Sequence, residues 1–112
     1  MNSFKDDLGV ITAVFEHLDK EAIPRALAVK SEIDAGAIMN ELDLLFFEEC
    51  LAEVANLLHV IDRHPEYQFV TGKMVELCHD ITQKALENQE SGQVSQQLVR
   101  LNMKLGNWPK IN

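Results

Sequence analysis

The stretch that decides the fold is residues 37–63, AIMNELDLLFFEECLAEVANLLHVIDR, the most hydrophobic part of the chain. Its apolar residues recur every three or four positions, the spacing that places side chains on one stripe of an α-helix. The stripe consists of Phe47, Leu51, Val54, Leu58 and Ile61, and it is widened by Phe46, Cys50 and Leu57. An apolar arc this wide is typical of a helix packed by more than one neighbour, so we expect a hydrophobic central helix here.

Helical periodicity also dominates the rest of the chain. It predicts helices over residues 4–20, 24–32, 66–89 and 93–105. Pro24 is costly inside a helix and favourable in a first turn, so we expect a break before it. Residues 67–71 are also compatible with an extended segment. Short connections between the helices predict an all-α fold, an antiparallel four- to five-helix bundle, in a single domain of residues 1–112.

The charge is unevenly placed along the chain. The net charge is −8, and all of it arises in residues 1–53, which hold 12 acidic and 4 basic side chains. An acidic half repels the phosphates of nucleic acids, so we expect no direct nucleic-acid binding. No apolar run approaches the roughly 18 residues of a membrane span, and acids stand where a signal peptide needs a basic start. We therefore expect no membrane association and a cytoplasmic location.

The two cysteines, Cys50 and Cys78, both lie beside apolar residues within helical patterns. We interpret them as small buried side chains in a reducing compartment. His17 and Glu21 are four residues apart, and we interpret them as an exposed ion-pairing couple. The chain offers no spacing typical of a nucleophilic triad, a glycine-rich phosphate loop or a zinc site, so we expect no cofactor.

One group of acidic residues has the pattern of a metal site. Glu49 and Glu53 lie one turn apart on the predicted third helix, and Glu76 and Asp80 lie one turn apart on the fourth. If the two helices bring these pairs together, their carboxylates form the oxygen cage that Mg²⁺ prefers. Over residues 45–82 this arrangement resembles the MazG family of helical nucleotide pyrophosphohydrolases, with a spacing of four residues where the family has three. The resemblance implies Mg²⁺-dependent hydrolysis of nucleotides.

A second group of residues indicates a protein-binding surface. Leu42, Leu45 and Val60 lie towards the polar side of the predicted third helix, where apolar side chains often mark an interface. Trp108, the only tryptophan, lies in a nonhelical tail, where it either packs on the bundle or anchors a partner.

The sequence therefore favours a small acidic protein-binding module without catalytic activity, a regulator, inhibitor or adaptor that forms a homodimer. Its acidic half suits a partner with a basic surface. Two alternatives stay open: the Mg²⁺-dependent pyrophosphohydrolase, and an acidic mimic that occupies a nucleic-acid-binding surface.

Overall fold

Every regular element of the described chain is helical. The computed structural model describes residues 3–61, 63–89 and 95–109, apart from the side chains of residues 3–8, 59 and 66. The helices are α1 (Ser3–His17), α2 (Ile23–Asp34), α3 (Glu41–Asn56), α4 (Leu58–Ile61), α5 (Pro65–Asn88) and α6 (Gln96–Gly106). The prediction of an all-α fold is confirmed, and the stretch 67–71 belongs to α5.

The first two helices are joined without a break by a π-helical turn, Leu18–Ala22. In this turn the N–H of Ile23 donates to the carbonyl of Leu18, five residues back instead of four. Pro24 has no N–H to donate to a carbonyl four residues earlier, and a wider turn just before it is one way for a helix to accommodate proline. The predicted break at Pro24 is therefore replaced by one helical rod over residues 3–34.

The predicted third helix, residues 37–63, is shorter in the structure. The side chain of Asn40 accepts a hydrogen bond of 2.8 Å from the N–H of Asp43, which caps the start of α3. Leu57 has φ −105° and ψ 1°, outside the helical region, and it separates α3 from the short α4. Both helices bury apolar residues in the same core, with Val54 in α3 and Val60 and Ile61 in α4.

The helices α5 and α6 are close to their predicted bounds. Pro65 occupies the first turn of α5, and the side chain of Ser95 caps α6 by accepting a hydrogen bond of 3.3 Å from the N–H of Leu98. Gly106 is the last residue of α6 rather than the residue after it.

The helix that contacts all the others is α5. The ring of Phe15 stacks on Tyr67 at 4.1 Å, and the side chain of Asn88 bonds the carbonyl of Ile33, so the rod runs along α5 in the same direction. The buried Thr82 hydroxyl accepts a hydrogen bond of 3.0 Å from the amide of Asn102, which ties α6 to α5. The core contains Ile11, Phe15, Leu18, Ala26, Ile33, Phe47, Leu51, Val54, Ile61, Met74, Ile81, Leu98 and Leu101. Four main helical units thus pack together. Because the rod and α5 run in the same direction, the antiparallel arrangement predicted for the bundle is not confirmed, and neither is the central position predicted for α3.

Candidate functional site

The outward face of α3 combines acidic and apolar side chains. Between Glu41 and Asn56 the chain has five acidic residues and no lysine or arginine. One side of the helix is buried in the core, through Leu44, Phe46, Phe47, Cys50, Leu51 and Val54. The opposite side is left without a covering element in the described structure and carries Glu41, Leu42, Leu45, Glu48, Glu49, Ala52, Ala55 and Asn56.

Two leucines on this face lie in water. Leu42 is 72% exposed and Leu45 is 49% exposed. Glu41, Glu48 and Glu49 are the neighbours of Leu45 one turn before and one turn after it. Within the described residues none of these three carboxylates takes part in an ion pair. We call Leu42, Leu45 and these three glutamates the α3 surface.

A pocket of about 220 Å³ lies beside the α3 surface, where α3 passes the π-helical turn. It is lined by His17, Glu21, Ala22, Arg25, Phe46, Glu49, Cys50 and Glu53. The imidazole Nδ1 of His17 is 2.8 Å from a carboxylate oxygen of Glu21, which confirms the predicted exposed pair.

Arg25 contacts Phe46 and Asp43 and forms no ion pair with Glu49 or Glu53 of this pocket. The guanidinium carbon of Arg25 lies 4.1 Å from the centre of the Phe46 ring, within the range of a cation–π contact. A guanidinium nitrogen of Arg25 also lies 3.8 Å from a carboxylate oxygen of Asp43. Glu49 and Glu53 consequently have no cationic partner in the described part of the chain.

One carboxylate oxygen of Glu53 lacks a hydrogen-bond donor in the described part of the chain. Its Oε2 atom is buried and has no hydrogen-bond partner among the described residues. A buried carboxylate oxygen without a donor is unfavourable, because it loses the hydrogen bonds that water would provide. Nearby, burial and the negative charge of Glu53 raise the pKa of the Cys50 thiol to about 11.

The structure does not bring the two predicted carboxylate pairs into one site. Glu76 and Asp80 line a separate depression of about 420 Å³ on α5, which shares no described lining residue with the pocket of Glu49 and Glu53. No group of three or more histidine, cysteine, aspartate or glutamate side chains in the described residues has an arrangement that could hold a metal ion.

The predicted protein-binding residues fall into two groups. Leu42 and Leu45 are exposed, whereas Val60 in α4 is only 7% exposed and belongs to the core. Trp108 is partly buried and packs against the core, with Lys104 Nζ 6.0 Å from the centre of its ring. Its Nε1 atom is buried and has no hydrogen-bond partner among the described residues. Both cysteines are buried and free, as predicted.

Sequence reasoning missed Phe69, which at 77% is the most exposed of the large apolar side chains that the structure describes. Phe69 lies off the stripe that Val70 and Met74 follow, and this displacement is the signal that could have identified it. The pocket beside the π-helical turn was also missed. No local pattern could have revealed it, because its lining residues come from segments more than 20 positions apart.

Comparison of the chain with models of known protein families, with curated proteins and with solved structures found no match. Among the helices that the structure describes, none has both the length and the apolar character needed to cross a lipid bilayer.

Proposed function

We propose that the protein is a non-catalytic protein-binding module, a regulator, inhibitor or adaptor, whose binding surface is the α3 surface. The observation that carries this proposal is the exposure of Leu42 and Leu45 on a face whose glutamates form no ion pair with any described residue. Apolar side chains held in water on a rigid helix, with polar groups around them, are typical of interfaces.

The physical gain from covering this surface is substantial. Complete burial of one leucine side chain contributes about 1.5–3 kcal/mol through the hydrophobic effect. The two leucines lie three residues apart, so a single partner side chain can contact both. Residues near the centre of an interface usually contribute most to its affinity, so we expect a partner to centre on these two leucines.

The surrounding carboxylates favour a partner with a basic surface. Unpaired charges on a surface accelerate association with a partner of opposite charge and reject partners of the same charge. The same repulsion opposes symmetric pairing of two α3 surfaces. A homodimer, which the sequence predicts, would therefore use another face, and the depression beside the exposed Phe69 offers apolar area for it.

We also propose that the protein acts in the cytoplasm. Two buried free thiols support a reducing compartment. The pyrophosphohydrolase alternative receives no support from the placement of Glu49 and Glu53 away from Glu76 and Asp80.

The proposal is tested by placing a photo-crosslinking amino acid at Leu42 and, as a matched control, at Leu27, an exposed leucine of α2. We expect illumination in native cell extract to yield an adduct with a second protein from position 42 and none from position 27. The further substitution Leu45→Ser should reduce the yield of that adduct. Equal adducts from both positions, or none from position 42, would contradict the proposal. An adduct of position 42 with a second copy of the chain would also contradict it, because it would place self-association at the α3 surface.

A further inference from the structure

We infer that the partner of the α3 surface is a basic amphipathic helix that lies along α3, with one lysine or arginine side chain inserted in the pocket of Glu49 and Glu53. This inference rests on the proposed function and specifies the chemistry of the partner. It joins two neighbouring features, the exposed leucines and the acidic pocket with its unsatisfied oxygen.

The secondary structure of the surface favours a helix as the occupant. The backbone hydrogen bonds of α3 are satisfied within the helix, so the surface has no free strand edge to which an extended peptide could add. Recognition must therefore use side chains. In an amphipathic helix the apolar residues recur every three or four positions and form one face. Such a face can pack against Leu42 and Leu45, which lie three residues apart on α3.

The spacing of the two features suits such a helix. Leu45 and Glu53 are eight residues apart on α3, which corresponds to about 12 Å along the helix axis. A partner helix aligned with α3 presents residues seven or eight positions apart on one face over the same distance. Its apolar residues would cover the leucines while a basic residue two turns away enters the pocket.

The charges select a cationic side chain for the pocket. Among the residues that the structure describes, Glu49 and Glu53 have no cationic partner, and the buried Oε2 atom of Glu53 has no hydrogen-bond donor. A lysine or arginine carries several N–H donors and no acceptor, so it can satisfy that oxygen and neutralise the carboxylate together. Arg25 does not fill this role, because it contacts Phe46 and Asp43.

A second copy of the chain is a less suitable occupant of this surface. The α3 surface contains no basic residue, so symmetric pairing places glutamates against glutamates. In α6, Arg100 and Lys104 line a depression together with Glu48 of the same chain, so the glutamates of a second copy would meet Glu48 beside these two cations. Self-association is therefore an outcome that the experiment must detect.

The probe is a fluorescein-labelled amphipathic peptide of about 18 residues. Its leucines recur at every third and fourth position, so that they form one face of a helix, and its lysines occupy the opposite face. Its affinity for the full chain is measured by fluorescence anisotropy. One variant removes an apolar contact, Leu45→Ser, and another removes the pocket charge, Glu53→Gln. The matched controls are Leu27→Ser and Glu32→Gln, which change an exposed leucine and an exposed glutamate of α2.

We expect Leu45→Ser and Glu53→Gln each to weaken binding of the peptide by about five- to tenfold, and each control to change it by less than about twofold. Raising the salt concentration from about 50 to 300 mM should weaken binding to the wild-type protein more than to Glu53→Gln. Because Glu53 is partly buried, the exposed Glu49→Gln variant serves as a second test that leaves the core unchanged. Circular dichroism confirms that each variant is folded.

The inference is overturned if Glu32→Gln weakens binding as much as Glu53→Gln and Glu49→Gln, since the peptide would then sense only the net charge. It is also overturned if a peptide with the same composition in scrambled order binds equally well, or if sedimentation shows self-association that Leu45→Ser abolishes. Failure of the peptide series together with a crosslink from position 42 to another protein would leave the proposed function standing with a different class of partner.

Discussion

The side-chain amide of Asn88 donates a hydrogen bond of 2.7 Å to the backbone carbonyl of Ile33, 55 residues earlier in the chain. The same nitrogen lies 3.0 Å from the carbonyl of Ala37. Ile33 is in the last turn of α2, and its carbonyl also accepts a hydrogen bond of 2.9 Å from the N–H of Gly36. The last residue of α5 thus adds a second donor to this carbonyl, and it ties the end of α5 to the end of the rod.

The variant Asn88→Ala should be destabilised by about 0.5–1.5 kcal/mol, because the hydrogen bonds from its side chain to the carbonyls of Ile33 and Ala37 are lost while the N–H of Gly36 still donates to Ile33. The free energy of unfolding, measured by urea denaturation, checks this expectation. Asn56→Ala is the matched control, since the side chain of Asn56 is exposed at the end of α3. Equal losses in the two variants would show that the hydrogen bond to α2 contributes nothing.

Two glycines should respond in opposite directions to substitution by alanine. Gly36 has φ of +102°, a conformation that is unfavourable for a residue with a side chain, so Gly36→Ala should cost about 1 kcal/mol. Gly72 lies inside α5, and a Cβ atom added there meets nothing within 4 Å. Gly72→Ala should therefore stabilise the protein by about 0.5–1 kcal/mol, the difference in helix propensity. Thermal unfolding of both variants tests the prediction, and a change of the same sign in both would contradict it.

The two buried cysteines should make the free energy of unfolding depend on pH in the alkaline range. Burial, with the charge of Glu53, raises the pKa of Cys50 to about 11, and burial raises the pKa of Cys78 further. The unfolded chain, whose thiols keep their ordinary pKa, therefore loses these protons at lower pH than the folded chain. We expect the free energy of unfolding to fall as the pH rises from about 9 towards 11.

The control for this prediction is the double variant in which both Cys50 and Cys78 are replaced by alanine. It keeps the other titrating groups, including Lys30, whose pKa is raised by its hydrogen bond to Asp34. The alkaline loss of stability should be smaller in this variant than in the wild type. A thiol reagent at pH 8 should label the native protein slowly and the urea-unfolded protein completely. An unchanged pH profile in the double variant would refute the role of the thiols.

Divalent metal should have little effect on the protein. Because the carboxylate pairs of Glu49 with Glu53 and of Glu76 with Asp80 line separate depressions, we expect Mg²⁺ in the millimolar range to change the melting temperature by less than about 1 °C. Thermal unfolding with and without Mg²⁺, and an assay of nucleoside triphosphate hydrolysis, provide the measurement. A stabilisation by Mg²⁺ that Glu53→Gln abolishes would favour the hydrolase instead.

The buried side of α3 could be predicted from the sequence because it follows from local periodicity. Phe47, Leu51 and Val54 recur at helical spacing, and all three are buried in the structure. The exposure of Leu42 and Leu45 followed from the same helix geometry, since they lie away from that stripe. Val60 did not follow, because Leu57 interrupts the helix and the register of the stripe does not continue unchanged into α4.

The sequence by itself determined that the chain is helical, that its acids concentrate in the first half, and that α3 has one apolar side. Only the tertiary structure decided which side chains from different helices lie close together. Glu53 shares a pocket with His17 and Glu21 because the rod passes α3 at the π-helical turn, and no short-range pattern encodes that meeting. The packing of the helices also places Glu76 and Asp80 in a separate depression on α5. Side-chain spacing along one helix is a local property, whereas the contact between two helices depends on how the whole core packs.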